Sequence, residues 1–123
     1  MPAGIEVSVI GEPPVVVFAV IGQVSPEGLS RAEYQLNSFV RSGRRRVVID
    51  LTAADYVSSE GVGVAFHYHM ILGSCGGRLV VVKGPPSVMN RIGRFIIPAL
   101  TVVDTKAEAL EMLGVDERSP SPA

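Results

Sequence analysis

The stretch Val47–Gly63, VVIDLTAADYVSSEGVG, decides the fold of this chain. Its first part, Val47–Leu51, is mostly apolar and β-branched, which predicts a buried strand. A short polar crossing follows, and Ser58 and Ser59 then precede an apolar helical pattern. Serine favours a helix start, where its hydroxyl accepts a hydrogen bond from a backbone N–H that has no partner within the helix. We therefore expect a strand-to-helix junction with hydroxyl side chains beside free N–H groups, a place that suits a phosphate.

The residues before this stretch predict a hairpin and a helix. Apolar and polar residues alternate over positions 5–9, as in a half-buried strand, and the apolar run Val15–Ile21 predicts a buried strand that pairs with it. A helix should begin after Ser25, with Pro26 at its first position. Its apolar face should consist of Leu29, Ala32, Leu36, Phe39 and Val40.

The residues after it predict alternating helices and strands. A second helix should run from about Ser59 to Leu72, followed by strands over Arg78–Lys83 and Leu100–Val103. Thr105 and Glu108 form a capping box that starts a last helix. The second helix should face the core with Val62, Ala65, Phe66, His69 and Met70. A short helix between the two strands should do so with Val88, Ile92 and Phe95.

This order predicts an α/β sandwich with a mixed β-sheet of about five strands and four helices. Strands joined by helices should be parallel, with right-handed crossovers. We expect one domain over residues 1–114. The remaining residues, 115–123, are mostly polar and include two Ser-Pro pairs, so a disordered C-terminal tail is expected there.

The composition bounds the class of protein. The chain has 123 residues, of which 47% are hydrophobic, enough for a real core. Its net charge of −1 argues against a nucleic-acid-binding protein. The single cysteine, Cys75, fits a reducing cytoplasm. No apolar run reaches the ~20 residues of a membrane span, and no signal peptide is visible. We therefore expect a cytoplasmic location.

Charged and histidine residues suggest no catalytic or metal site. Arg44–Arg46 is the only basic run, and its place before a strand favours a solvated turn over a phosphate-binding patch. His67 and His69 are two positions apart on a helix and therefore point about 200° away from each other, so they cannot bind one metal ion together. Gly61-Val62-Gly63 lacks the Lys-Ser/Thr that follows a phosphate loop of the Walker type. We expect no catalytic residue, no metal and no cofactor.

Three stretches in order resemble a known family, the STAS domain, which sulfate transporters and anti-sigma-factor antagonists share. Tyr56–Gly63 resembles the family pattern of an apolar strand, a short turn and Asp-Ser-Ser-Gly-x-Gly. Ile21–Ser25 resembles the Gly-Glu-Leu/Ile-Asp that follows the second family strand, and Gly77–Val82 resembles the strand after the long helix. The resemblance covers roughly residues 5–113. The family acids fall on Ser25 and Ser58.

The resemblance implies a STAS-like sandwich and a regulator that acts by binding rather than catalysis. A protein resembling an anti-sigma-factor antagonist would bind a serine-kinase-type anti-sigma factor, and phosphorylation of Ser59, or of Ser58, would weaken that binding. The alternative is a STAS scaffold or accessory subunit of a sensing assembly or transporter complex, which the missing acids favour. The oligomeric state stays open. The expected partner-binding residues are Gly22, Gln23, Ser25, Asp55, Ser58, Ser59, Glu60, Gly61 and Gly63.

Each candidate residue also has a purely structural interpretation. Ser25 and Ser58 suit helix caps, and Glu60 suits the first turn of a helix, where the dipole favours an acid. Asp55 suits an exposed turn, although it could replace the acid missing at Ser58. Arg91 and its neighbour Arg94 are either solvated helix charges or a partner-docking pair.

Overall fold

A computed structural model of the chain describes residues 3–92 and 100–115. Within them the elements are β1 (Gly4–Ile10), β2 (Val15–Gln23), α1 (Pro26–Arg41), β3 (Arg46–Tyr56), α2 (Ser59–Ser74), β4 (Arg78–Val82), α3 (Pro86–Ile92), β5 (Thr101–Val103) and α4 (Lys106–Met112).

The five strands form one mixed sheet in the order β1-β2-β3-β4-β5. β1 pairs antiparallel with β2 as the predicted hairpin, and every later pair is parallel. Each parallel pair is joined through a helix, since parallel strands cannot be connected by a tight turn. The predicted α/β class, with a five-stranded mixed sheet and four helices, is confirmed.

The sheet has an apolar core on each face. The helices α1, α2 and α3 cover one face, and α4 covers the other. β2 serves both cores, because Val16 and Phe18 point to the first and Val15 and Val17 to the second. A strand that is buried on both faces has a continuous apolar sequence rather than an alternating one. The run Val15–Ile21 is of this kind.

The third strand is longer than predicted. The apolar run ends at Leu51, but β3 continues to Tyr56 because its last residues pair with the end of β2. Ala54 is the register partner of Gly22, and Tyr56 that of Gln23. These pairings extend the strand into a polar stretch, and hydrophobic periodicity does not predict a strand there.

The predicted core face of the second helix is partly wrong. Phe66 is 37% exposed and Met70 60% exposed, and His69 is only half-buried. The residues of α2 that are buried in the core are Val62, Ala65, Tyr68 and Leu72. The helix is apolar on most of its circumference, so the spacing alone does not fix which side faces the sheet.

Two further differences lie at the edges of the domain. Val9 is 48% exposed although it lies on the predicted inner side of β1. Val115, assigned to the tail by the sequence, is 6% exposed and packs in the α4 core. Its side chain lies against Gly11, whose φ of +79° and lack of a Cβ allow that approach. Residues 116–123 and the predicted core residue Phe95 lie outside the described residues.

Candidate functional site

The candidate residues lie at the edge of the sheet where the parallel strands β2 and β3 end and the helices α1 and α2 begin. In parallel α/β sheets this edge is where ligands usually bind. The pairing of Gly22 with Ala54 sets the two junctions side by side. A Cβ built on Gly22 would lie 3.8 Å from Oδ2 of Asp55, so these two candidates are neighbours. The fold therefore brings the two separated sequence segments together.

Ser58 and Ser59 have different surroundings. Ser58 is the N-cap of α2, and its hydroxyl oxygen accepts a hydrogen bond of 3.1 Å from the backbone N–H of Gly61. Ser58 is half-buried, whereas Ser59 is the first helical residue and is exposed. The Ser58 hydroxyl holds the helix start, and the Ser59 side chain is reachable from solvent.

The second junction is built in the same way. Ser25 is the N-cap of α1, and its hydroxyl accepts a 3.0 Å hydrogen bond from the backbone N–H of Gly28. Pro26 follows as the first residue of the helix, as predicted. Two capped helix N-termini thus meet at one edge, and each contributes the partial positive charge of a helix dipole.

Small and acidic residues complete the first turn of α2. Glu60 is exposed there, beside Ser59. Gly63 is exposed too, and a Cβ built on it would meet nothing within 4 Å. A Cβ on Gly61 would lie 3.4 Å from the Val57 side chain and 3.5 Å from the Ser58 hydroxyl oxygen, so Gly61 belongs to the junction itself.

The outer face of α2 continues this surface with exposed apolar side chains. Residues 59, 63, 66, 70 and 73 fall on one side of a helix with about 100° between residues. Phe66 and Met70 therefore follow Ser59 and Gly63 along the solvent side, with exposed Gly73 beyond them. This stripe was not predicted, because the helical spacing in the sequence assigned both Phe66 and Met70 to the core. The sequence did contain a signal of exposed apolar side chains. In this helix of 16 residues, Glu60 is the only acidic or basic residue apart from the histidines, so the solvent side has to include apolar residues.

Arg91 extends the site on its other side. Its guanidinium carbon lies 4.5 Å from the centre of the Tyr56 ring, and one of its N–H groups donates to the Tyr56 hydroxyl oxygen at 3.3 Å. This cation–π contact joins α3 to the end of β3. Arg94, the other half of the predicted pair, lies outside the described residues.

The histidines do not form part of a ligand set. His67 is exposed and its ring contacts that of Tyr68 edge-on, while His69 is half-buried near Phe66. Among the described residues there is no group of three or more histidine, cysteine or acidic side chains placed to hold a metal ion. Nor does this part of the chain contain a helix long and apolar enough to cross a membrane.

Comparison with known protein families identifies the family to which the chain belongs. The STAS domain family matches residues 6–109, which is most of the chain. The chain belongs to the STAS domain family. No curated protein sequence is similar enough to count as a match.

Several solved structures share the fold of this STAS domain. An anti-sigma factor antagonist from Mycobacterium paratuberculosis is 22% identical, with a TM-score of 0.77, over 93% of this chain and 97% of its own. The Bacillus cell fate determinant SpoIIAA in its phosphorylated form is 16% identical, with a TM-score of 0.72, over 89% and 99%. The anti-sigma factor antagonist SpoIIAA in its unphosphorylated form is 16% identical, with a TM-score of 0.76, over 90% and 98%. At these identities the likeness establishes the fold.

Proposed function

We propose that this STAS domain is a non-enzymatic regulator of the anti-sigma-factor antagonist kind, which binds a serine-kinase-type anti-sigma factor. Phosphorylation of Ser59 weakens that binding. The proposal is supported by similar structures that are themselves anti-sigma factor antagonists, one of them SpoIIAA in both phosphorylated and unphosphorylated form.

The observation that carries the proposal is the contrast between the two serines. A kinase needs a hydroxyl that it can reach without unfolding its target, and Ser59 is exposed while the Ser58 hydroxyl is engaged with Gly61. A phosphate adds about −1.5 to −2 charges. At the first position of α2 it would sit beside Glu60 without breaking the helix cap, and it would repel an acidic partner surface.

The partner surface extends from Gly22–Ser25 across Asp55–Gly63 and along the outer face of α2. Gly63 and Gly61 let a partner backbone approach closely, and the exposed side chains of Phe66 and Met70 offer apolar area to bury. Large exposed apolar side chains in a row often mark a protein–protein contact.

A kinase and binding assay tests the switch. The purified chain is incubated with ATP and the candidate anti-sigma kinase, the modified residue is located by mass spectrometry, and affinities are measured by calorimetry. Ser59→Ala should fold and bind as the native chain does, and Ser59→Asp should bind several-fold more weakly. If neither Ser58 nor Ser59 is modified and Ser59→Asp binds undiminished, the phosphorylation switch is wrong.

A steric variant tests the surface separately. Gly63→Arg places a long side chain in the middle of the proposed contact, in open space, so the helix itself should tolerate it. We expect binding to be lost while circular dichroism shows an intact fold. Asn37→Arg, on the exposed side of α1, is the matched control and should bind normally. Undiminished binding by a folded Gly63→Arg protein would move the interface elsewhere.

A scaffold role is the second candidate, and one observation favours it. Ser25 and Ser58 are helix caps where the family pattern has acids, so acidic features tied to kinase recognition are missing from both. A gene for an anti-sigma kinase beside the gene for this chain would support the antagonist, and genes for transporter subunits would support the scaffold or accessory subunit.

A further inference from the structure

The outer side of β1, which faces away from β2, is paired with no strand that the structure describes. β1 comes first in the strand order and is therefore an edge strand of the sheet. In an antiparallel pair every second residue directs its backbone N–H and C=O toward the neighbouring strand, and the residues between direct theirs away from it. No described loop or helix end makes a backbone hydrogen bond to Gly4–Ile10. Such a row of unpaired donors and acceptors is a template for a further strand.

β1 lacks most of the features that protect edge strands in natural proteins. Those features are a very short strand, a proline, a lysine or a β-bulge. β1 has seven residues, GIEVSVI, and its register with β2 runs without a shift from Gly4 to Ile10. Glu6 is its single charge. The edge strand on the other side of the sheet, β5, has only three residues, so β1 is the side on which a strand can be added.

An exposed apolar side chain lies on the same strand. Val9 is 48% exposed, although its register partner Val16 is fully buried in the core beneath α1, α2 and α3. Directly opposed residues of an antiparallel pair point to the same face of the sheet. Val9 therefore lies on the face that the three helices cover, and a strand added to β1 would place a neighbour beside it.

The sequence of β1 is complementary to itself in one register. When two copies pair antiparallel about a two-fold axis at Val7, all seven residues of each strand are paired. Ile5 then faces Val9 of the second copy, so the exposed valine gains an apolar neighbour. Glu6 faces Ser8 of the second copy, and the serine hydroxyl is a donor for the carboxylate.

The neighbouring registers are less favourable. The outward-directed residues of the two strands have to face each other, so the two-fold axis must lie at a residue and not between two residues. An axis at Glu6 would set two carboxylates directly opposite each other, which is destabilising. An axis at Ser8 would pair only Glu6–Ile10 and set the Glu6 carboxylate opposite Ile10. The axis at Val7 pairs the whole strand and opposes no like charges.

We propose that the chain forms a homodimer in which the β1 strands of two copies pair antiparallel about Val7 and join the two sheets. The paired segment is about 24 Å long, at ~3.4 Å per residue, and one sheet layer of about 10 Å thick. This contact is smaller than the ~800 Å² that each partner buries in a standard interface, so the dimer is weak and reversible. The antiparallel pairing sets the Ser59 sites of the two copies at opposite ends of the joined sheet. The dimer does not rest on the proposed function.

Ser8→Glu and its rescue test the register. Ser8 is exposed and its register partner on β2 is Val17, so the substitution should leave the fold intact. In the dimer it opposes two pairs of carboxylates, and dimerisation should weaken roughly tenfold. Glu6→Ser in the same chain restores a hydroxyl opposite each carboxylate and should return the dissociation constant to within about twofold of the native value. Ser8→Lys sets an ammonium opposite Glu6 and should tighten the dimer several-fold.

Ser30→Glu is the matched control, because it adds the same charge at an exposed position of α1. It should change the dissociation constant by about twofold or less, since an exposed charge outside the paired strands is screened. Sedimentation equilibrium of the full chain from micromolar to millimolar concentration measures the dissociation constants, and circular dichroism checks the fold of each variant. In the native chain, amide chemical shifts of residues 4–10 should move as the concentration rises, while those of residues 58–66 stay constant.

Several results would overturn the proposal. It is wrong if the native chain is monomeric at millimolar concentration, if Ser30→Glu weakens the dimer as much as Ser8→Glu, or if Glu6→Ser fails to rescue Ser8→Glu. It is also wrong if the concentration-dependent shifts map to α2, because the dimer would then use the exposed apolar stripe. Dimerisation that appears only after deletion of residues 116–123 would mean that those residues occupy the outer side of β1. None of these measurements involves the anti-sigma partner.

Discussion

At the scale of single residues, Ser58 and Ser59 should separate stability from regulation. The Ser58 hydroxyl satisfies the Gly61 N–H at the start of α2, so Ser58→Ala should lower the free energy of unfolding by about 1 kcal/mol. Ser59 is exposed, and Ser59→Ala should change it by less than about 0.5 kcal/mol. Denaturant unfolding of the two variants measures both. Equal losses would mean that Ser59, too, is part of the cap.

Tyr68 should make the folded chain less stable in alkali. Burial raises its pKa above the ordinary value of 10.0, and the charge of Glu33 adds to the rise. Below about pH 10 the phenol is protonated in both the folded and the unfolded state. Above it the unfolded chain loses this proton first, so the folded state binds more protons and the free energy of unfolding falls as pH rises.

The test of Tyr68 is a comparison with Tyr68→Phe over the alkaline range. The variant should lose less stability between neutral pH and the alkaline end than the native chain does. Lys83, whose pKa is raised by its hydrogen bond to Asp104, titrates in both proteins and cancels in the difference. The ultraviolet absorbance of tyrosinate should also lack its last titrating step in the variant. Parallel pH profiles of the two proteins would contradict the prediction.

At the scale of elements, the two sides of α2 should respond differently to truncation. Leu72 is fully buried beneath the helix, so Leu72→Ala should cost about 2–5 kcal/mol. Phe66 is 37% exposed, and Phe66→Ala should cost about 1 kcal/mol, the usual loss for a substitution outside the core. Thermal and denaturant unfolding of the two variants measures both losses. A larger loss for Phe66→Ala than for Leu72→Ala would mean that the Phe66 side chain packs in the core.

The elements show what sequence patterns can and cannot predict. The caps Ser25 and Ser58 were predictable because serine and proline act locally, within one turn of the helix. The inner face of α2 was not, since a helix that is apolar nearly all round gives no preferred side. The extension of β3 to Tyr56 depends on pairing with β2, which is a contact between distant residues. The nearness of Gly22 to Asp55 follows from that same register and was equally hidden.

At the scale of the whole molecule, the sheet connects two edges of different character. The edge at the ends of β2 and β3 carries helix N-termini, small residues and the Glu60 carboxylate. The edge at their beginnings carries the basic run Arg44–Arg46. Because the eleven residues of β3 separate the two edges, substitutions at Ser59 and Arg44 should have additive effects on the free energy of unfolding.

The end of the domain should be set by Val115. Its side chain is 6% exposed and covers Gly11 at the hairpin, so it closes the α4 core. Val115→Ala removes two methyl groups and should cost about 2 kcal/mol, from ~0.8 kcal/mol per buried carbon and the cavity left behind. Deleting residues 116–123 should change the free energy of unfolding by less than about 0.5 kcal/mol, because we expect that segment to contribute no packed contact. Denaturant unfolding of the variant and the truncated chain places the boundary: a large loss on deletion would mean that the domain continues beyond Val115.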